Sequence, residues 1–190
     1  MTETRIITDE KQNRSLEVKM EGKTFYLPFK FIAGRWVGFL DISGQVSLIE
    51  SSADEITKIL KERNIVFDTI LNPVSKSNAL AHAVAVRNGL DRTVVARKST
   101  DPANTIQTSY RSVTTDHDQI LSLTPDDAEY LKGKKVLLMD DVYGGGGTTK
   151  ALVKLASDAG AEIAGHAVVA AEAGGKLPEG LVYLFELPVL

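Results

Sequence analysis

The chain has 190 residues, 43% hydrophobic and 25% charged, with a formal net charge of −3 and no cysteine. That length supports one domain with a sizeable core and an appendage; the apolar runs fall short of the ~18 residues of a membrane span, and there is no overall basic excess to attract nucleic acid or an anionic membrane. Without cysteine, disulfides, thiolate metal sites and a cysteine nucleophile are excluded, as suits a cytoplasmic protein.

Residues 1–14 are polar and carry neither a secretory apolar segment nor a strong structural pattern, so they are expected to be loosely held. From Ser15 the sequence alternates: SLEVKM, a turn at Glu21-Gly22-Lys23, then TFYLPFKF predict a β-hairpin with a three-residue loop, followed by a strand near Trp36–Leu40. Six of the chain's aromatics fall in this section (Phe25, Tyr26, Phe29, Phe31, Trp36, Phe39), enough for a small sheet to build its own core while one or two face a ligand. At Ser52 the period becomes helical, with a Ser52/Glu55 capping box and Ile56, Ile59 and Leu60 on one face. Strands at Phe67–Leu71 and Thr93–Arg97 flank an Ala-rich helix over Asn78–Asn88 that ends at Gly89.

The polar segment from Ser99 to Gln119 has the length of a functional lid, and its middle, Ile106–Val113, suits an extended arm. Thr124 caps a short helix with Pro125 at its first position, ending by Gly133. A strand at Val136–Met139, a helix from about Thr148 to Gly160, and strands at Ile163–Ala171 and Leu181–Phe185 complete the chain. The alternation predicts an α/β fold, a mostly parallel sheet with helices on both faces. The predicted division is an N-terminal β hood at 1–50 and an α/β core at 51–190 with a lid at 99–119.

The stretch KKVLLMDDVYGGGGTTK, Lys134 to Lys150, carries the chemistry. Glycines before a helix let free N–H groups wrap an anion at the positive end of the helix dipole, so the turn is a phosphate site to which Thr148 and Thr149 add hydroxyl donors. It lacks the lysine of a nucleotide P-loop, and Asp140-Asp141 interrupt any dinucleotide fingerprint. Two carboxylates beside a phosphate suit a sugar between them: vicinal hydroxyls donate to carboxylates, and carboxylates stabilise positive charge developing on a ribose ring. The turn therefore reads as a ribose 5-phosphate site. His82, His117 and His166 have no metal-ligand spacing.

VLLMDDVYGGGGTT resembles the ribose-phosphate signature of type I phosphoribosyltransferases. In that resemblance Asp140 and Asp141 match the ribose-binding acids, Gly144, Gly145, Gly146, Gly147 and Thr148 match the 5-phosphate loop, and Val142, with Tyr143 next to it, matches the apolar position beside the base. LNPVSKSNALAHAVA is similar to the diphosphate loop, with Ser75-Lys76 as its small-basic pair, and Arg97-Lys98 resemble the basic pair of purine-type members that reaches the diphosphate, often across a dimer interface. The likeness is greatest to adenine phosphoribosyltransferase. It implies transfer of a ribose 5-phosphate unit from phosphoribosyl diphosphate to a purine base, with Mg2+ held mainly through substrate, Asp140, Asp141 and Lys76 in catalytic roles, and a cytoplasmic homodimer with no nucleic-acid or membrane partner.

The sequence departs from that pattern at three places. Gly144 and Gly145 have no hydroxyl for the phosphate; Val74 and Ser77 replace an acid and a glycine around the basic turn, where Ser77 would be strained if a positive φ were needed; and the acid that many members place near the base nitrogen is absent from the loop, leaving Asp101, Asp116 and Asp118 of the lid. These departures motivate the alternative of a weakly active or inactive regulator that binds phosphoribosyl diphosphate.

Overall fold

The computed structural model describes residues 2–32, 34–104, 106–110 and 119–190. Its first unit is an antiparallel sheet of β1 (Glu3–Thr8), β2 (Arg14–Met20), β3 (Lys23–Ile32) and β4 (Arg35–Gly38), paired in that order. The N-terminus is thus a strand and not a loose tail: β1 pairs with β2 along its length, and Arg5 holds Glu17 through two hydrogen bonds of 2.7 and 3.2 Å. The β2–β3 loop has two residues, not three. Glu21 and Gly22 both take positive φ (49° and 71°), the backbone whose twist matches that of a hairpin, so Met20 pairs directly with Lys23.

Helix α1 (Val46–Glu62) begins six residues before Ser52, which is buried in its interior. The apolar stripe overrides the capping signal, since Ile49, Ala53, Ile56 and Leu60 recur at helical spacing and are all buried. The core then runs through β5 (Thr69–Pro73), α2 (Asn78–Arg87), β6 (Val94–Ala96), β7 (Ile106–Tyr110), β8 (Gln119–Leu123), α3 (Pro125–Leu131), β9 (Lys135–Tyr143), α4 (Gly147–Asp158), β10 (Glu162–Glu172) and β11 (Phe185–Leu187). The last strand lies a few residues later than expected; Val182 makes only an isolated bridge to Ala167. The cap of α3 forms as expected, Asp127 N–H donating to Thr124 Oγ1 at 3.2 Å.

Five strands form a parallel sheet in the order β11-β10-β9-β5-β6. Its faces divide by alternation. Ile70, Leu137, Met139, Ala167 and Val169 pack with α1, α2 and the hood residues Leu16, Val18, Met20 and Leu27, whereas Leu71, Val136 and Leu138 pack with Leu152, Leu155 and Ala156 of α4 and Leu121 and Leu123 of β8. Each fully buried leucine contributes about 1.5–3 kcal/mol. The hood is tied to the core through the C-terminus: Gly38 N–H donates to Pro188 O at 2.9 Å and Leu190 N–H to Trp36 O at 2.8 Å. Among the described residues no helix is long and apolar enough to cross a membrane.

From β5 the chain steps outward to β6 and then returns on the other side of β5 as β9, continuing to β10 and β11. The crevice beyond the carboxyl ends of β5 and β9 is the switch point at which open α/β sheets bind ligands.

His166 on β10 is 8% exposed and edge-on to the Tyr143 ring, and neither ring nitrogen has a hydrogen-bond partner among the described residues. Burial lowers its pKa to about 4. The unfolded imidazole takes a proton below about pH 6.5 and the folded one only below about 4, so its contribution is complete above 6.5 and is lost as pH falls toward 4. Urea unfolding at pH 7 and pH 4.5 should show His166→Leu gaining about 2–3 kcal/mol on the native protein between the two conditions. Equal pH dependence in both proteins would contradict this account.

Candidate active site

At the end of β5 the chain turns sharply into α2 through Val74, Ser75, Lys76 and Ser77. Buried groups hold the turn: Ser77 Oγ donates to Pro73 O at 2.9 Å, Asn72 Nδ2 to Asn78 Oδ1 at 2.8 Å, and Val74 N–H to Ala96 O at 2.9 Å. The Val74–Ser75 peptide bond is cis. Ser77 has φ −74°, so a serine fits there without the strain expected if its φ were positive. Lys76 projects toward the hood, its Nζ 3.8 Å from Asp41 and 5.5 Å from the Phe39 ring centre.

Across the crevice, β9 extends past Met139 to Tyr143, so the acid pair lies on the strand itself. Asp141 N–H donates to the Asp140 carboxylate and Val142 N–H to the Asp141 carboxylate, each at 2.9 Å. These bonds fix both side chains on their own backbone. Burial, reinforced by the neighbouring Asp141 carboxylate, raises the Asp140 carboxyl well above the usual carboxylate range, while a Ser77 hydrogen bond acts weakly against the shift.

Gly144 to Gly146 then lead into α4, whose first intrahelical bond closes from Lys150 N–H to Gly146 O at 3.0 Å. The N–H groups before it lack intrahelical partners. Gly146 sits in the left-handed region (φ 76°, ψ 6°), and a Cβ on it would lie 2.8 Å from the Tyr143 hydroxyl.

A cavity of about 310 Å3 joins these parts. Ser75, Lys76, Lys98, Asp140, Asp141, Val142, Tyr143, Gly144, Gly145, Gly146, Gly147 and Thr148 all line it. Of the residues singled out in the sequence, Arg97 does not. It lines an adjoining hollow with Lys98, Val74 and Ser75, and its guanidinium is 3.8 Å from Asp127, which also pairs with Arg92 at 2.7 Å. Asp127 sits at the start of α3, and the bridge between Arg97 and Ser122 of β8 brings that region to the strand end.

Sequence reasoning missed several wall residues: Leu40 and Leu187 on the apolar side, Tyr110 and Gln119 on the β7–β8 arm, and Glu172 at the end of β10. Tyr110 donates to Gln119 at 2.8 Å; burial and the Asp140 charge raise its pKa. The arm belongs to the expected lid together with residues 99–104, where Asp101 Oδ1 accepts from Ala103 N–H at 2.9 Å, whereas Asp116, His117 and Asp118 lie outside the described residues. Phe39, one of the hood aromatics, lines the cavity beneath the Lys30 ammonium, 3.6 Å from its ring centre. The only signal for Glu172 in the sequence was an acid at a strand end.

Residues 45–185 match the phosphoribosyl transferase domain family. The chain belongs to the type I phosphoribosyltransferase family. It is 31% identical over 131 residues to the adenine phosphoribosyltransferase of Nitrosopumilus maritimus, covering 69% of this chain and 74% of that one. It is 25% identical over 153 residues to the purine biosynthesis transcriptional repressor PurR of Bacillus subtilis, covering 80% of this chain but 52% of the repressor, so it spans about half the length of that relative. The fold is shared with the adenine phosphoribosyltransferase of Thermoanaerobacter pseudethanolicus (TM-score 0.63, 19% identity, 96% and 95% of the two chains). It is likewise shared with the Giardia lamblia enzyme complexed with 9-deazaadenine (TM-score 0.61, 19% identity, 96% and 93%).

Proposed function

We propose that the protein is a purine phosphoribosyltransferase, with adenine the favoured acceptor, that moves a ribose 5-phosphate unit from phosphoribosyl diphosphate to the base and releases diphosphate. The observation that carries this is the order of groups across one cavity: cations at the ends of β5 and β6, the acid pair and glycine loop on β9 and α4, and an apolar wall under the hood. That order matches diphosphate, ribose 5-phosphate and base. Adenine is favoured because two of the related proteins are adenine phosphoribosyltransferases.

In this reading the loop from Gly144 to Thr148 fixes the 5-phosphate through backbone N–H groups and the Thr148 hydroxyl. Asp140 and Asp141 accept from the ribose hydroxyls and face the positive charge that develops on the ring as the C1–oxygen bond breaks. Lys76 and Lys98 stabilise the departing diphosphate, and Ser75 and Tyr143 complete the walls. Residues 1–50 serve as hood, 51–190 as catalytic core, and 99–119 close over the substrate to exclude water.

Among the described residues no group of three or more acidic or histidine side chains is arranged to hold a metal. The oxygen donors available, Asp140 and Asp141, suit an Mg2+ ion carried mainly by substrate oxygens. That ion supplies charge neutralisation for the diphosphate. Arg97, in the adjoining hollow, is assigned to the neighbouring site of a cytoplasmic homodimer.

Incubation with magnesium phosphoribosyl diphosphate and adenine, guanine, hypoxanthine or xanthine tests the reading. Adenine should give its nucleoside monophosphate fastest, Lys76→Ala should lower turnover about 10- to 100-fold through loss of one charge-assisted contact, and the active species should sediment as a dimer. An active monomer removes the dimer from the reading. Binding of phosphoribosyl diphosphate with no conversion of any base would favour the second reading, a regulator, which the similarity to PurR supports.

A further inference from the structure

Glu172 is the carboxyl group of the apolar end of the cavity. It closes β10, pairs in register with Leu187, and lines the cavity together with Leu187 and Val142. Sheet order places it on the opposite side of β9 from the turn that carries Lys76 and from the strand that leads to Lys98. It has no hydrogen-bond or ion-pair partner among the described residues, although every other carboxylate of the cavity accepts a backbone N–H.

Its position relative to Gly144 is informative. A Cβ built on Gly144 would lie 3.1 Å from the Glu172 carboxyl carbon and 3.1 and 3.2 Å from its oxygens. A side chain on the loop would already press its Cβ against the Glu172 carboxyl group, tighter than ordinary van der Waals contact, so the two compete for the same space. The loop glycine and the strand-end acid are therefore complementary: one leaves the space that the other fills with a carboxyl group.

Displacement at C1 brings the acceptor to the side of the ribose opposite the departing diphosphate. With the cations at the β5 and β6 ends, that side is the wall containing Glu172. We propose that Glu172 is a catalytic residue, taking the proton that the acceptor nitrogen must lose; the inference rests on the transferase reading above. The nitrogen lone pair forms the C1–N bond, the C1–O bond breaks with its electron pair leaving on diphosphate, and the N–H proton passes to the Glu172 carboxylate and from there to water. Burial raises the Glu172 carboxyl above its ordinary value, toward the range in which a general base works best at neutral pH.

The test is the pH profile of kcat with the best base of the panel and saturating magnesium phosphoribosyl diphosphate. In the native enzyme kcat should fall on the acid side as Glu172 takes a proton. Glu172→Gln, close in volume, should lower kcat roughly 10²- to 10⁴-fold, abolish that acid limb and leave the KM for phosphoribosyl diphosphate within about twofold. Glu172→Ala should lose as much, and adding Gly144→Asp to it should restore at least about tenfold of kcat together with an acid limb, whereas Gly144→Asn, which fills the same space without the charge, should restore neither. If the native enzyme is active and Glu172→Gln keeps both its kcat and its acid limb, the proposal is overturned while the transferase reading stands. If the native protein converts no base, the transferase reading itself has failed and this inference fails with it.

Discussion

Asp140→Asn should remove most of the activity and leave the fold as stable as before, or more so. The asparagine keeps the volume, and its carbonyl oxygen still accepts the Asp141 N–H that Asp140 Oδ1 accepts at 2.9 Å. What disappears is a negative charge that the fold does not favour: burial and the Asp141 carboxylate both raise the Asp140 pKa. A carboxyl whose folded pKa is raised makes its ionised form a cost above that pKa, so removing the charge relieves the native state at neutral pH. The opposite is expected of the proposed reaction, in which the same charge would accept from ribose hydroxyls and face the cationic ring. One lost group aimed at transition-state charge lowers turnover by about 10²- to 10³-fold. The paired result, kcat/KM down and melting temperature unchanged or higher, distinguishes a charge held for substrate from one held for structure. Because burial and the neighbouring Asp141 charge raise the Asp140 pKa, the acid limb of kcat/KM for phosphoribosyl diphosphate should lie above the pH of an ordinary carboxylate and shift or vanish in the variant. A variant that melts early and turns over normally would reverse the assignment.

Local chemistry was legible in the sequence wherever one segment contained both the signal and its consequence. The strand, acid pair, glycines and helix N-terminus are contiguous from Lys135 to Asp158, and Thr124-Pro125 capped α3 as written. Apart from the β2–β3 turn, failures came where the deciding partner lay far away in sequence. Residues 3–8 look unstructured alone because β1 is completed by β2, through the Arg5–Glu17 pair among other contacts. The Ser52/Glu55 box lost to a buried stripe that needs α2 and the sheet to exist. Arg97 is drawn toward Asp127, a carboxylate thirty residues on and in another element. Glu172 and Leu187 join the cavity only because β10 lies beside β9 and β11 beside β10, a strand order that no local pattern encodes. The same limit explains why an empty-handed Gly144 looked like a defect: the carboxyl beside it arrives from residue 172.

Gly146→Ala should weaken phosphoribosyl diphosphate binding more than it slows the bound complex. Two costs coincide at this position. An L-residue in the left-handed region costs about 1–2 kcal/mol, and the new methyl would sit 2.8 Å from the Tyr143 hydroxyl. Moving that hydroxyl would disturb the edge-on contact of the Tyr143 ring with buried His166, 6.0 Å between centres. The loop is therefore expected to shift as well, and with it the N–H directions at the start of α4. Each hydrogen bond to a charged phosphate oxygen is worth about 1.5–3 kcal/mol. Misaiming one or two should raise the KM for phosphoribosyl diphosphate about 10- to 100-fold, with kcat changed severalfold at most. Adding Tyr143→Phe separates the two costs, since it removes the hydroxyl and leaves the backbone strain. The double variant should recover part of the loss and stay about 5- to 30-fold weaker than the native protein, the residue set by the left-handed backbone alone. Native binding by Gly146→Ala, measured by calorimetry with magnesium phosphoribosyl diphosphate, would mean that the 5-phosphate sits elsewhere in the cavity.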